Sequence, residues 1–481
     1  MQKRNIFSNL IWRFAERCGA QFVAFIVSIV LARMLAPEVY GVVALLTVFT
    51  SILQVFVDSG LGNALIQKKN ADELDFSTVF YANIVFCGIL YILLFLCAPL
   101  IAVFYKDSSL TQMIRILGIT IIVSGVKNIQ QAYISRNMMF RKFFFATLGG
   151  TIAAACVGIT MAVSGYGAWA LVAQQITNVT IDTVILWITV RWRPQGGFSL
   201  SRLKGLFSYG WKLLVSALLD IGYNNIRQLI IGRMYSSEDL AYYNRGKQFP
   251  NLIVSNINSS IDSVLFPTMA SVQDKRQNVK EMTKRAIKVS VYVMAPFMMG
   301  LAFTANSVVS LVLTKKWLEC VPYLRIFCIS FMFYPIHTAN LNAMKAMGRS
   351  DIFLKLEIIK KCIGVVLLIS TMWFGPLAMA YSMLVSSIIS QIINSWPNRK
   401  LLEYGYLEQL WDIMPCILLA VSMGGIVWCV SLVGLPVAAT FLIQVALGAA
   451  IYIAGSVLFR IDSFLYLIGI LKSFYRTKNR I

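Results

Sequence analysis

The chain has 481 residues, of which 58% are hydrophobic and 13% charged, with a formal net charge of +22 at pH 7 and a mean hydropathy of +0.71. Soluble domains carry about 25% charged residues, so the composition excludes one and points to a bilayer protein. One histidine and nine cysteines, none paired as CxxC, exclude most zinc sites and any histidine-based triad. No GxxxxGK[ST] phosphate loop occurs, so no metal, cofactor or nucleotide motor is expected.

In chain order, the first apolar run covers roughly residues 12–34 and is interrupted by Arg13, Glu16 and Arg17, which sets it apart from a cleavable signal peptide. A spanning helix needs about 20 mostly apolar residues. Runs of that kind follow at roughly 40–58, 78–104, 110–136, 143–164, 167–192, 204–232 and 246–270. Further runs lie at roughly 284–313, 319–347, 355–373, 376–397, 410–432 and 435–459, which makes about fourteen spans. Segments such as FCGILYILLFLCAPLIAVF are continuously apolar, whereas a transmembrane β-barrel would alternate. The expected class is an all-α polytopic membrane protein. The longest polar stretch, roughly Ser271 to Lys288, has helical spacing and reads as a cytoplasmic surface helix joining two spans.

Lys and Arg fall on one set of alternating loops. Lys68, Lys69, Arg136, Arg141, Lys142, Arg399 and Lys400 lie on it, together with both termini, against Arg33, Lys106, Arg233, Arg245, Lys247, Lys315 and Lys316 on the other. This asymmetry expects both termini in the cytosol and explains most of the excess charge without nucleic acid.

The stretch LARMLAPEVYGVVALL is written again 200 positions later as IGRMYSSEDLAYYNRG, pairing Arg33 with Arg233, Met34 with Met234 and Glu38 with Glu238. The offset persists downstream, where Ser59 faces Ser259 and Leu65 faces Leu265. It spans six helices, an even number, so the repeat is parallel about an axis along the membrane normal. The expected organisation is one six-helix lobe over residues 1–200, a second over 201–400, and two more helices with a basic tail over 401–481.

These stretches, with DSGLGNALIQKKN and SSEDLAYYNRGKQFPNLIVSNINSSIDSVLFPTMASVQDK, resemble the polysaccharide-transport branch of the MOP exporter superfamily, the Wzx-like lipid-linked oligosaccharide flippases. The resemblance covers nearly the whole chain. It implies a V-shaped pair of lobes in the bacterial inner membrane. The substrate would be an undecaprenyl-pyrophosphate-linked glycan moved to the periplasmic leaflet by alternating access, with ion coupling. Its implied partners are that lipid, the bilayer and other polysaccharide assembly proteins.

Such a task needs a wet cationic cleft, and ionisable residues inside spans are costly enough to face a bundle interior. The expected substrate-binding residues are Arg17, Arg115, Lys127, Arg227 and Asn224, because a guanidinium fork donates two parallel hydrogen bonds to phosphate oxygens. Asp220, Asn224 and Arg227 are spaced i, i+4, i+7 on one helical face. Asp182, Asp220 and Asp262 are the expected ion-coupling carboxylates. Gln130 and Gln131, Asn256 and Asn258, and His337 beside Pro335 are further polar positions within spans; Asp58 reads as a loop-facing or capping acid. Two other readings stay open. One is a multidrug or organic-ion antiporter of the same superfamily, which would favour anionic or aromatic contacts. The other is a glycan polymerase or ligase, which would need outward-facing catalytic acids.

Overall fold

The computed structural model describes residues 19–58, 61–68, 71–273 and 275–478. Helix α1 (Gly19–Met34) is followed by α2 (Pro37–Asp58), α3 (Leu61–Gln67), α4 (Glu73–Tyr105), α5 (Ser109–Arg136), α6 (Phe140–Val163), α7 (Ala168–Thr189) and α8 (Leu200–Met234). Then come α9 (Ser237–Ala270), α10 (Arg276–Phe303), α11 (Ala305–Val312), a 3₁₀ turn (Lys315–Cys320), α12 (Val321–Met332) and α13 (Tyr334–Ala346). The chain closes with α14 (Ser350–Thr371), α15 (Pro376–Leu401), α16 (Tyr406–Cys429), α17 (Val437–Leu458) and α18 (Asp462–Lys478). No strand occurs among the described residues.

The all-α polytopic class is borne out. Ten helices among the described residues are long and apolar enough to cross a membrane. The other four expected spans are also helical: α1 is short over its described part, while α8, α9 and α14 fall outside that set. Three of the four carry charged residues named in the sequence reading or found below. Large apolar side chains cover the outside, with Val85, Ile89, Leu96, Leu100 and Val103 of α4 each more than half exposed. A soluble protein does not expose such a stripe; a lipid-facing helix does.

The chain forms two compact units, up to Ala241 and from Tyr242. In the first, one apolar cluster joins Leu31, Leu46, Leu94, Leu117 and Leu171, and a second joins Leu65, Phe80, Ile129, Phe143 and Leu186. Helices α4 and α5 approach closely at Gly125, where an added Cβ would lie 2.7 Å from the Cys87 sulfur, and Asn83 donates to the Gly125 carbonyl at 3.1 Å. Helix α8 packs on α2, α3 and α4.

Helix α4 begins in a capping box. The Asp72 carboxylate accepts from the Asp75 amide at 3.0 Å, and Asp75 accepts from the Asp72 amide at 3.2 Å, which satisfies two otherwise orphaned donors. Lys68 pairs with the buried Asp75 at 2.6 Å, and Arg202 reaches both acids.

One expectation of element layout is corrected in the second unit. Residues 276–288 are not a separate surface helix but the first turns of the continuous helix α10. Its basic stripe is neutralised by acids: Arg276 by Glu403, Lys284 by Glu408 and Asp412, and Lys288 by Asp412 and Asp462. The span expected over 319–347 is among the ten, with a break at Phe333 between α12 and α13. Pro335 lacks an N–H and its ring would meet the carbonyl four residues back, so the helix restarts there.

Candidate functional site

Arg17 lies outside the described residues. The remaining candidates of the first unit divide into three places. Arg115 lies against α4, its Nε donating to the Phe95 carbonyl at 3.3 Å and its guanidinium 4.1 Å from the Phe95 ring. It sits apart from the others, on a helix face that carries exposed apolar side chains.

Lys127 and Asp182, expected in different roles, form one ion pair at 3.1 Å between α5 and α7. Both side chains are largely buried, at 15% and 10% exposed, and the second Asp182 oxygen has no hydrogen-bond partner. Beside them Asp58 is not loop-facing. Its Oδ1 accepts from Gln54 and from Asn128, each at 3.1 Å, and Asn128 also donates to the Val57 carbonyl. Gln130 donates to the Trp192 carbonyl at 3.1 Å and is structural.

On α8, Asp220 and Asn224 are exposed and Arg227 is 6% exposed. The Arg227 Nε and Nη2 are buried without a hydrogen-bond partner. Its neighbours Asn225 and Gln228 hydrogen-bond to each other at 3.2 Å rather than to it. A guanidinium is always charged, and leaving its donors buried and unpaired is among the costlier arrangements a protein holds.

In the second unit, Asp262 accepts from Asn342 at 2.8 Å. His337 is buried, with Nδ1 3.0 Å from the Asn394 amide nitrogen and its ring edge-on to Tyr334. Next to it lies a buried amide cluster in which Asn340, Ser395, Asn398 and Gln409 bond one another at 2.6–3.3 Å. Arg245, counted from sequence among loop cations, is instead buried on α9. It donates to Gln248 at 2.5 Å and stacks 5.3 Å from Trp317.

Sequence reading passed over the pair Glu357–Lys360 in the middle of α14, at 2.5 Å and partly buried. The signal was there: an acid and a base three residues apart within the run expected to span at 355–373. It also passed over Gln54 and Asn128, whose part becomes visible only when α2 and α5 are side by side.

The fold and these buried charges define a multi-pass, all-α membrane protein. A family profile described as "Polysaccharide biosynthesis protein" matches residues 30–322, and the chain belongs to that family. It is 26% identical over 445 residues to the teichuronic acid biosynthesis protein TuaB of Bacillus subtilis (strain 168), covering 90% of this chain and 88% of that one. It is 22% identical over 372 residues to the lipopolysaccharide biosynthesis protein WzxC of Escherichia coli (strain K12), covering 76% and 74%. Among solved structures it is similar to the lipid II flippase MurJ in an inward closed conformation, with a TM-score of 0.75, 16% identity and coverage of 94% and 99%. An inward-facing multidrug resistance MATE family transporter of the MOP superfamily gives 0.58, 13% identity, 82% and 94%. The family resemblance read from the sequence is borne out.

Proposed function

We propose that this chain is a flippase of the bacterial cytoplasmic membrane. It moves a polyprenyl-pyrophosphate-linked oligosaccharide, with undecaprenol as carrier, from the cytoplasmic to the outer leaflet for surface polysaccharide assembly. It acts as a transporter rather than an enzyme, through two six-helix repeats that alternate access. Family membership supports this reading, as do relatives named for teichuronic acid and lipopolysaccharide biosynthesis.

The single observation that carries it is Arg227. A permanent cation held in a spanning helix with two buried donors unpaired is explained by a ligand that supplies the missing acceptors, and a pyrophosphate has them in the right fork geometry. Arg17, in the first expected span, which the 200-residue repeat sets against α8, is assigned the second contact; Asn224 would face the first sugar. Arg115 and Lys127 make weaker claims, because each already has a partner. Asp182, Asp220 and Asp262 are the proposed coupling acids. The membrane potential acts in the same direction, favouring outward movement of one negative charge by about 2.3 kcal/mol per 100 mV.

The test is transport of a fluorescent polyprenyl-pyrophosphoryl oligosaccharide in proteoliposomes at equal reconstitution. Loss of a charge-assisted pair is worth about 1.5–3 kcal/mol, so Arg227→Ala should slow flipping about tenfold or more, with Arg227→Lys intermediate. Wild-type rates in Arg227→Ala would remove this site. A protein that ligates or polymerises the lipid-linked glycan without flipping it would replace the transporter reading with the enzymatic one.

A further inference from the structure

Helix α2 carries a polar stripe that no expected role uses. Thr47, Ser51, Gln54 and Asp58 are spaced i, i+4, i+7 and i+11, which puts them within about 60° of one another around the axis and along about 17 Å of helix. Away from this stripe the helix is apolar, with Leu45, Leu46 and Val48 buried. Thr47 and Asp58 are exposed, while Ser51 and Gln54 are half-buried. The hydroxyl protons are used within the helix, Thr47 donating to the Val43 carbonyl at 2.8 Å and Ser51 to the Thr47 carbonyl at 2.7 Å. Their oxygens keep acceptor capacity facing outward.

Helix α7 carries a second stripe, Gln175, Asn178 and Asp182, at i, i+3, i+7. The stripes meet at one end where Gln175 donates to the Thr47 hydroxyl at 3.3 Å. At the other end, adjacent residues of α5 hold both acids: Asn128 bonds Asp58 and Lys127 pairs with Asp182. The close seat of α7 on α6 is fixed at Gly150, where an added Cβ would lie 2.8 Å from the Asn178 carbonyl oxygen.

Accessible amides and hydroxyls along about 17 Å of a span do not face hydrocarbon, where unmet polar groups are costly. They face water or a polar ligand. Among the described residues of the lane the one lysine, Lys127, is paired with Asp182, so the lane suits an uncharged ligand. Groups that both donate and accept match sugar hydroxyls. The geometry points to the α2–α7 lane as a binding track for the neutral glycan, separate from the guanidinium that takes the phosphates. This rests on the flippase reading and adds to it the residues that sense glycan length.

The experiment compares two lipids, a polyprenyl-pyrophosphoryl monosaccharide and the corresponding tetrasaccharide. The triple variant Thr47→Val, Ser51→Ala, Gln54→Leu removes polar groups without opening cavities. It should slow the tetrasaccharide lipid about tenfold or more and leave the monosaccharide lipid within about twofold, while Arg227→Ala slows both. Equal wild-type rates for both lipids in the triple variant overturn the lane and leave the flippase reading standing. A wild-type protein that moves neither lipid overturns the flippase reading. The lane is then decided by Gln54→Cys, read by mass spectrometry at that position. A wet glycan track predicts labelling by a membrane-impermeant thiol reagent and protection by free tetrasaccharide. An unlabelled or unprotected residue 54 overturns it.

Discussion

At the scale of single residues, the first unit pairs a lysine of α5 with a carboxylate of α7. Lys127 and Asp182 are buried together, so each neutralises what would otherwise be an unpaired charge in a span. Lys127→Met or Asp182→Leu alone should lower stability by about 3–5 kcal/mol, and the double variant should recover most of it. Thermal unfolding in detergent checks this; a double variant no better than either single one would mean that the pair is not a unit. Arg227 differs in having two donors unmet within the protein, which makes it the residue whose environment calls for a ligand. Its presence in a span was legible from sequence. That two of its donors are unmet was not, because the spacing of Asp220, Asn224 and Arg227 fits an internally neutralised stripe as well as a sugar-binding one.

At the scale of elements, helix boundaries follow local chemistry. Asp72 and Asp75 cap α4, Pro335 ends α12, and Gly375 precedes Pro376 at the start of α15. The α4 cap has a pH signature. The Arg202 guanidinium, by its hydrogen bond, and the Asp75 amide hold the exposed Asp72 carboxyl down at about 2. A carboxyl depressed in the folded state stabilises it above its unfolded pKa of about 3.9 and loses that contribution as pH falls through the folded value. Asp72→Asn should therefore melt below wild type at pH 7, with the gap closing between about pH 4 and pH 2. A gap independent of pH would assign the effect to the cap hydrogen bond alone. The buried amides of α13, α15 and α16 show the limit of element-level reading. Asn340, Ser395, Asn398 and Gln409 look like scattered polar residues in apolar runs, and only packing reveals that each is another's partner.

At the scale of the molecule, the proposed orientation rests on the Lys and Arg asymmetry. Fluorophores attached to cysteines added at the two ends should be quenched from the cytosolic side only in inside-out vesicles; quenching of either end in right-side-out vesicles would reverse the topology. The sequence by itself determined the membrane class, the helical architecture and the family, because these depend on hydropathy, period and pattern, which a linear chain displays in full. Only the tertiary structure decided which charges are partnered. It paired Lys127 with Asp182, turned Asp58 toward Asn128, set Arg115 against Phe95 and left two donors of Arg227 unmet. The physical reason is that such contacts join residues 20 to 70 positions apart that arrive within about 3 Å, and that distance is set by helix packing rather than by any local pattern.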